Sequence, residues 1–300
     1  MTNLAWRVGE VTITRITESE PEISLADDLG FWPDATADAV NAIQWLRPHF
    51  VTPKGDLRLS FHSLLVETPK TRVVVDTCVG NDKTRHMPAW NQMHSDYLEK
   101  FAEAGWTRES VRGVLCTHMH VDHVGWNTMW VDGRWVPTFP NARYYFSRQE
   151  YEFWTNKAGP YHEQLPDSLR ETMESSALLV DSVMPVVDAG LVEFVESDHI
   201  ISPEIRLLPT PGHSPGHVSI LIESRGQRAV ITGDMAHHPM QIACPAWSTV
   251  LDTDPVQARK TRFDFYERFV DTPTLVIGTH FAAPTAGRIV RDGETYRLAV

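Results

Sequence analysis

One short motif constrains this chain more than any other stretch of its 300 residues. Residues 117–123 read Thr-His-Met-His-Val-Asp-His, and they follow the apolar run 111–116, which predicts a buried strand. A strand end is a rigid base, so the loop behind it can direct several side chains into one cavity. Imidazole and carboxylate groups at this density suit zinc, iron or manganese. We therefore predict a metal site here, in preference to a solvated polar loop without metal.

Three later segments each place one histidine or aspartate directly after a predicted strand. They are Pro211-Gly212-His213, Gly233-Asp234 and Thr279-His280. Taken singly, each of these residues would be a hydrogen-bonded polar group at a strand end. Taken together they complete two ligand sets, which share Asp234 as a carboxylate able to bridge two ions, the arrangement of two-metal hydrolytic centres. The sets are His118, His120 and His213 for one ion, and Asp122, His123 and His280 for the other.

Composition and charge argue against several other classes of protein. The chain is 42% hydrophobic and 22% charged, as globular proteins are, and its net charge of −12 disfavours nucleic acid and anionic membranes as partners. Its three cysteines are too widely spaced for a disulfide framework or a zinc ribbon. No apolar run approaches the roughly 18 residues of a membrane span, and the N-terminus lacks signal-peptide character. We therefore predict a soluble, cytoplasmic protein.

The order of predicted elements indicates the fold class. Strands gather in two groups, one in each half of the chain, and each group is followed by helices. This order predicts an α/β (α+β) protein in which two mixed sheets pack face to face with helices outside. We expect residues 1–300 to form one such domain. An aromatic-rich segment at about 21–56 breaks the pattern and is either a cap over the active site or a satellite cluster under a loop. The predicted strands are 8–17, 57–67, 72–76, 111–116, 143–146, 191–195, 205–209, 217–223, 228–232 and 274–278, and the longer predicted helices are 92–104, 147–154, 164–182 and 254–270.

The motifs His118-Met-His120-Val-Asp122-His123, Pro211-Gly212-His213, Gly233-Asp234 and Thr279-His280 resemble the signature of the metallo-β-lactamase superfamily. The resemblance implies an αββα sandwich whose seven ligands hold two divalent metal ions, zinc above all. Because relatives are often dimers, it also allows a homodimer.

Details of the motifs narrow the resemblance within the superfamily. Asp234 stands where zinc β-lactamases usually have a cysteine or no bridging acid, and the first motif lacks the glutamate of flavo-diiron proteins. The remaining group resembles N-acyl-homoserine lactonases and methyl-parathion-type hydrolases. It implies a lactonase or esterase acting on an apolar lactone or ester such as an N-acyl-homoserine lactone. The alternatives are an organophosphate or aryl-substrate hydrolase with the same centre, and a non-catalytic metal-binding protein.

The same resemblance suggests roles for residues beside the metals. Asp122 is expected to carry a proton to the leaving group. His237 stands where lactonases have a tyrosine that assists the substrate carbonyl, and it either replaces that donor or faces elsewhere. Asp76 and His217 are candidates for orienting ligand imidazoles, with ordinary loop hydrogen bonds as the alternative for His217. The candidates for an apolar pocket are Phe31, Trp32, Trp45, Phe50, Trp126, Trp130, Trp154, Met240 and Trp247.

Overall fold

The computed structural model describes residues 3–25, 30–156, 161, 163, 165 and 175–300. Contacts along the chain divide it into two units, residues 1–18 with 61–196 and residues 19–60 with 197–300. Each unit contains a seven-stranded sheet with both parallel and antiparallel pairs, so the expected class, a mixed α/β fold with two mixed sheets and helices, is confirmed. The assignment of the whole chain to one domain stays a prediction.

The sheet of the first unit directs three parallel strands toward one edge. Strand Gly113–Leu115 pairs in parallel with Arg72–Val75 on one side and with Arg143–Ser147 on the other. Because parallel neighbours end at the same edge, the loops after these strands meet there. The strands in sheet order are Ala5–Val8, Val11–Ser19, Phe61–Glu67, Arg72–Val75, Gly113–Leu115, Arg143–Ser147 and Val192–Val195.

The other described elements of the first unit are helices, of which Tyr97–Glu103 and Arg148–Asn156 match the predictions 92–104 and 147–154, and a hairpin that was not predicted. Asp132-Gly133 forms the turn of that hairpin, Thr128–Val131 with Arg134–Pro137, although this dipeptide is a known hairpin signal. The predicted helix 164–182 falls largely outside the described residues; from residue 175 the chain is helical, and it stays so to residue 188. The helices are Tyr97–Glu103, Arg148–Asn156, Ser175–Leu178 and Met184–Asp188, with a π-helical turn at Leu179–Val183 and 3₁₀ turns at Pro88–Trp90, Arg108–Ser110 and Gly125–Asn127.

The sheet of the second unit also gathers three strand ends at one edge. Strand Gln227–Ile231 is parallel to Leu275–Ile277, and strand Ile205–Pro209 runs in the same direction because it is separated from Gln227–Ile231 by one antiparallel neighbour. The strands in sheet order are Ile200–Ser202, Ile205–Pro209, Val218–Ser224, Gln227–Ile231, Leu275–Ile277, Ala286–Asp292 and Thr295–Ala299. The helices are Ala37–Ala42, Met240–Ala243 and Pro255–Phe269, with 3₁₀ turns at Gln44–Leu46 and Gly233–Met235.

Two predicted strands are divided in the structure. The stretch 8–17 contains a turn at Gly9-Glu10 between Ala5–Val8 and Val11–Ser19. The stretch 57–67 contains Leu57–Arg58, which forms a two-stranded sheet with Glu22–Ile23, and then the longer strand Phe61–Glu67 of the seven-stranded sheet of the first unit. Alternation of polar and apolar residues reports burial on one face and does not report where a chain changes partners, so it missed both breaks.

The aromatic-rich segment 21–56 contributes to the core of the second unit. Trp32, Leu46 and Phe50 are buried among residues of the helix Pro255–Phe269 and of the sheet. Trp45 is partly buried against the same cluster. These side chains therefore stabilise the unit through burial of apolar surface, worth about 1.5–3 kcal/mol for each large side chain, whereas a role of the segment as a cap stays a prediction.

His238 is a buried histidine of this core and is held neutral. Its Nε2 lies 2.9 Å from the carbonyl oxygen of Phe50, to which it donates, and its Nδ1 accepts from the backbone N–H of Met240 at 3.1 Å. Burial lowers the pKa of His238 to about 4, against an ordinary value of 6.5. The neutral side chain thus links two backbone segments, at Phe50 and at Met240, by hydrogen bonds.

Acidification should destabilise the protein through His238. Between pH 6.5 and pH 4 the unfolded chain binds a proton that the folded chain excludes, so the free energy of unfolding falls as the pH falls, by about 3 kcal/mol over the whole window. Urea unfolding across this range should show a smaller loss in His238→Asn, whose amide oxygen can still accept from Met240. His49→Asn, at an exposed histidine, should keep the wild-type pH dependence. Equal pH dependence in wild type and His238→Asn would contradict the assignment.

Candidate metal centre

The loop 117–123 of the first unit brings three imidazoles together. It begins directly after the strand Gly113–Leu115, and His118, His120 and His123 are all buried. The ring centroid of His118 lies 4.4 Å from that of His120 and 4.0 Å from that of His123. Asp122 is partly exposed, with its Oδ2 3.6 Å from Nε2 of His123. The four side chains predicted as ligands in this motif thus form one cluster.

Asp76 fixes this loop from the neighbouring strand. Its carboxylate accepts from the backbone N–H of Thr117 at 2.8 Å and from the Thr117 hydroxyl at 2.9 Å, and its Oδ2 lies 3.1 Å from Nδ1 of His123. These bonds hold its backbone at φ 53°, which is uncommon for a residue other than glycine. Because Asp76 engages Nδ1 of His123, the opposite nitrogen, Nε2, is directed toward Asp122, as in a metal-binding histidine.

A second carboxylate, that of Glu150, also supports the loop. Glu150 is buried, and its Oε1 accepts from the backbone N–H of Met119 at 3.1 Å and from Nε1 of Trp154 at 2.6 Å. The Trp154 ring in turn lies edge-on to His120, with 5.0 Å between the centroids. The helix Arg148–Asn156 therefore supplies both a backbone anchor and an aromatic wall to the motif.

In the second unit three imidazoles surround the carboxylate of Asp234. Oδ1 of Asp234 lies 3.1 Å from Nε2 of His280. Oδ2 of Asp234 lies 3.2 Å from Nε2 of His237 and 3.7 Å from Nε2 of His213. All four side chains are buried. His213, Asp234 and His280 follow the three strands that end at the same edge of this sheet, which is why residues far apart in sequence converge here.

His213 is oriented by a residue that the sequence patterns did not reveal. Its Nδ1 lies 3.1 Å from Oδ1 of Asp252, which is itself fully buried and approached by Arg262 at 3.4 Å. Burial alone would raise the pKa of Asp252, but the hydrogen bond to His213 and the charge of Arg262 lower it below its ordinary value. Asp252 lies in a loop with no metal-binding pattern around it, so no local signal in the sequence could have identified it.

His217 orients the backbone of Asp234 and is itself held by the chain before it. Its Nδ1 donates to the carbonyl oxygen of Thr210 at 3.0 Å, and its Nε2 accepts from the backbone N–H of Asp234 at 2.8 Å. Both alternatives raised by the sequence therefore apply. His217 makes ordinary loop hydrogen bonds, and through one of them it positions a residue predicted to be a ligand.

His237 faces Asp234 and does not point away from it. Its ring lies parallel to His280 at 5.9 Å and edge-on to His213 at 4.7 Å. Phe31 packs edge-on to its other side at 5.6 Å. Burial lowers the pKa of His237, although the charge of Asp234 acts in the opposite direction. His237 is therefore a neighbour of the predicted metal ligands in this unit.

The aromatic candidates for a pocket separate into two groups. Phe31 and Trp154 pack directly on His237 and His120. The others have structural positions elsewhere: Trp126 stacks on Tyr97 and donates to Glu18, Trp130 is exposed, and the core of the second unit contains Trp32, Phe50 and Met240, with Trp45 and Trp247 packed against it. Sequence alone did not separate these groups because all of them are large apolar residues near motif loops.

The donor set of these clusters fits divalent metal ions. His123 and His213 each place Nδ1 against a buried aspartate, which selects Nε2 as the nitrogen that can bind a metal. The other donors, imidazole nitrogens and carboxylate oxygens, suit zinc and related ions, and buried groups of this kind are normally paired or bound to metal.

Within the described residues, no helix is long and apolar enough to cross a membrane.

Fold and motif order together define a family. The chain belongs to the metallo-beta-lactamase superfamily, whose sequence profile matches residues 60–280. It is 26% identical over 193 residues to an N-acyl homoserine lactonase of Bacillus cereus and 24% identical to one of Bacillus thuringiensis. These matches cover 60% of this chain and 65% of each relative, so they span just under two thirds of the relatives' length.

Solved structures show the same fold over nearly the whole chain. The hydrolase AbOPH of the beta lactamase superfamily has a TM-score of 0.81 and 23% identity, covering 99% of this chain and 97% of its own. AidC, a dizinc quorum-quenching lactonase solved with a product, N-hexanoyl-L-homoserine, has a TM-score of 0.80 and 19% identity, covering 99% of this chain and 98% of its own. These two likenesses show the fold, and the family and its lactonase relatives confirm the expected class, a hydrolase.

Proposed function

We propose that this protein is a dinuclear metal-dependent hydrolase, with zinc as the metal. The observation that carries the proposal is the carboxylate of Asp234, faced by the imidazoles of His213, His237 and His280 at 3.1–3.7 Å. A buried carboxylate in such a setting is suited to bridge two cations. The proposed ligand groups, each offering one donor atom per residue, are His118, His120, His213 and Asp234 for the first ion and Asp122, His123 and His280, with Asp234 shared, for the second.

The proposed substrate is an apolar lactone or ester, such as an N-acyl-homoserine lactone. Relatives named as lactonases support the reaction type, and the aromatic rings of Trp154 beside His120 and of Phe31 beside His237 support an apolar group near the reacting bond. The predictions of a cytoplasmic location and of a homodimer concern properties outside this site and stay predictions.

Two side chains would take part in the chemistry beside the metals. When bound, two divalent ions lower the pKa of water toward neutrality and polarise the substrate carbonyl. Asp122 is partly exposed and carries its carboxylate beside His123, so it is placed to accept a proton and pass it to the leaving alkoxide. His237, whose Nε2 is directed at the Asp234 carboxylate, would donate a hydrogen bond to the substrate carbonyl oxygen.

Substitution of His237 tests its role as a hydrogen-bond donor. His237→Phe keeps an aromatic ring against Phe31 but removes the donor, and we expect kcat to fall about 10²-fold with two metal ions still bound. His237→Tyr restores a donor on an aromatic ring and should recover most of that loss. Steady-state kinetics together with metal analysis measures both effects. Wild-type kcat in His237→Phe would show that His237 only packs beside the ligands.

The function itself is tested by purified protein reconstituted with zinc. We expect two ions per chain, activity lost on chelation and restored by zinc, and hydrolysis of homoserine lactones that improves with acyl length. An aryl ester and an aryl phosphotriester are assayed in parallel. Turnover of the phosphotriester alone would assign the centre to organophosphates, and two bound ions without hydrolysis of any of these substrates would favour a non-catalytic metal-binding protein.

A further inference from the structure

Asp252 is a buried acid of the second unit that belongs to neither ligand group. Its side chain has no exposed surface, and its Oδ1 lies 3.1 Å from Nδ1 of His213. The Thr249 hydroxyl approaches the same oxygen at 3.5 Å. A carboxylate in this position requires a proton on Nδ1 of His213, so the lone pair of the ring lies on Nε2, the nitrogen that faces Asp234 at 3.7 Å.

Arg262 balances this acid from the helix Pro255–Phe269. It is fully buried, and one of its terminal nitrogens lies 3.4 Å from Oδ2 of Asp252. The guanidinium also donates to the carbonyl oxygens of Pro245 and Met235 and to the Ser248 hydroxyl. Met235 adjoins Asp234 in sequence. One arginine therefore ties the loop that carries Asp252 to the loop that carries Asp234.

A buried ion pair of this kind is costly unless its geometry is well satisfied. The pair Asp252–Arg262 could serve folding alone, as the pair Asp181–Arg85 does in the first unit, where two nitrogens of Arg85 lie 2.7 and 2.9 Å from the carboxylate. The difference is that Asp252 turns its other oxygen to an imidazole whose far nitrogen points at a second proposed ligand. That contact has no counterpart among the described bonds of Asp181.

We propose that Asp252 is a positioning residue for metal binding: it selects the tautomer of His213 and aligns Nε2, and so sets the affinity for the ion that His213 holds. Arg262 maintains Asp252 in that orientation. The inference rests on the metal centre of the proposed function. It predicts that Asp252 acts on one ion of the two, since the second ligand group, Asp122, His123 and His280, does not include His213.

The experiment measures metal affinity and uses three variants of the full chain. Asp252→Leu removes the carboxylate while keeping the number of side-chain heavy atoms, and Asp252→Asn keeps an amide oxygen that accepts from Nδ1–H but removes the charge. Asp181→Asn is the matched control, because it weakens a buried aspartate–arginine pair away from the proposed ligands. Zinc affinity is measured for each ion by competition with a chromophoric chelator, Co²⁺ binding by its visible absorption spectrum, and stability by thermal unfolding of the metal-free proteins.

We expect Asp252→Leu to weaken binding of one ion by about 10–100-fold and to alter the Co²⁺ spectrum, with Asp252→Asn between it and wild type. Asp181→Asn should lower thermal stability while both zinc affinities stay at wild-type values. If wild type binds two ions and Asp252→Asn and Asp252→Leu bind both with wild-type affinity, this inference fails and the proposed function stands. If wild type binds no metal, the proposed function fails first. Should Asp252→Leu not fold, Asp252→Asn alone decides between the first two results.

Discussion

Asp234→Ala should abolish nearly all turnover and release at least one metal ion. The substitution removes the carboxylate that His213, His237 and His280 face at 3.1–3.7 Å, and with it the proposed bridge between the two ions. Loss of metal-based stabilisation of the transition state by about 4 kcal/mol corresponds to roughly a 10³-fold lower rate. Metal analysis of the purified variant and kcat/KM on its best substrate measure the two effects.

Another aspartate of the second unit supplies the matched control for this variant. Asp254 caps the helix Pro255–Phe269, where its side chain accepts from the backbone N–H of Gln257 at 2.9 Å. Asp254→Ala should cost about 1 kcal/mol of stability through loss of the cap and should leave the metal content unchanged. Full activity with two ions in Asp234→Ala would refute the bridging role.

Gly212→Ala should destabilise the protein strongly, although it adds only one methyl group. A Cβ atom at this position would lie 2.3 Å from the backbone nitrogen of Ala258 and 2.4 Å from its Cα, and the backbone angle φ of +129° is one that L-residues rarely adopt. Backbone atoms at the start of a helix cannot move aside as a flexible side chain can, so we expect a loss of about 3 kcal/mol or more. Because His213 follows directly, the variant should also bind one ion weakly. Urea unfolding and zinc titration measure these changes.

Gly226→Ala separates the clash from the backbone conformation. Gly226 also has a positive φ, +75°, but a Cβ there would meet no atom within 4 Å. Only the cost of a left-handed conformation, about 1–2 kcal/mol, should appear, and zinc binding should be unaffected. Similar losses in Gly212→Ala and Gly226→Ala would show that the close approach to Ala258 is relieved by small shifts.

The difference between local and long-range information explains which parts of the site were predictable. The helix Pro255–Phe269 agrees with its prediction because Asp254 and Pro255 are start signals read within a few residues, and the hairpin at Asp292-Gly293 follows from its turn dipeptide. The motif 117–123 could be predicted equally well, since its histidines and aspartate lie close together in the sequence. The division of residues 57–67 between two sheets could not be predicted, because the alternation of polar and apolar residues along a strand does not indicate which strand it pairs with.

Ligand chemistry and motif order were determined by the sequence itself: histidines and aspartates at successive strand ends, in the order of one superfamily. Only the tertiary structure decided which buried groups orient them. Asp252 reaches His213 from 39 positions away, and Glu150 reaches Met119 from 31. Neither acid has a motif, because the requirement they satisfy is a hydrogen bond across the fold. A residue's own neighbours in sequence specify its local conformation and burial, whereas the partner of a buried polar atom is specified by whichever chain segment packing brings within about 3 Å.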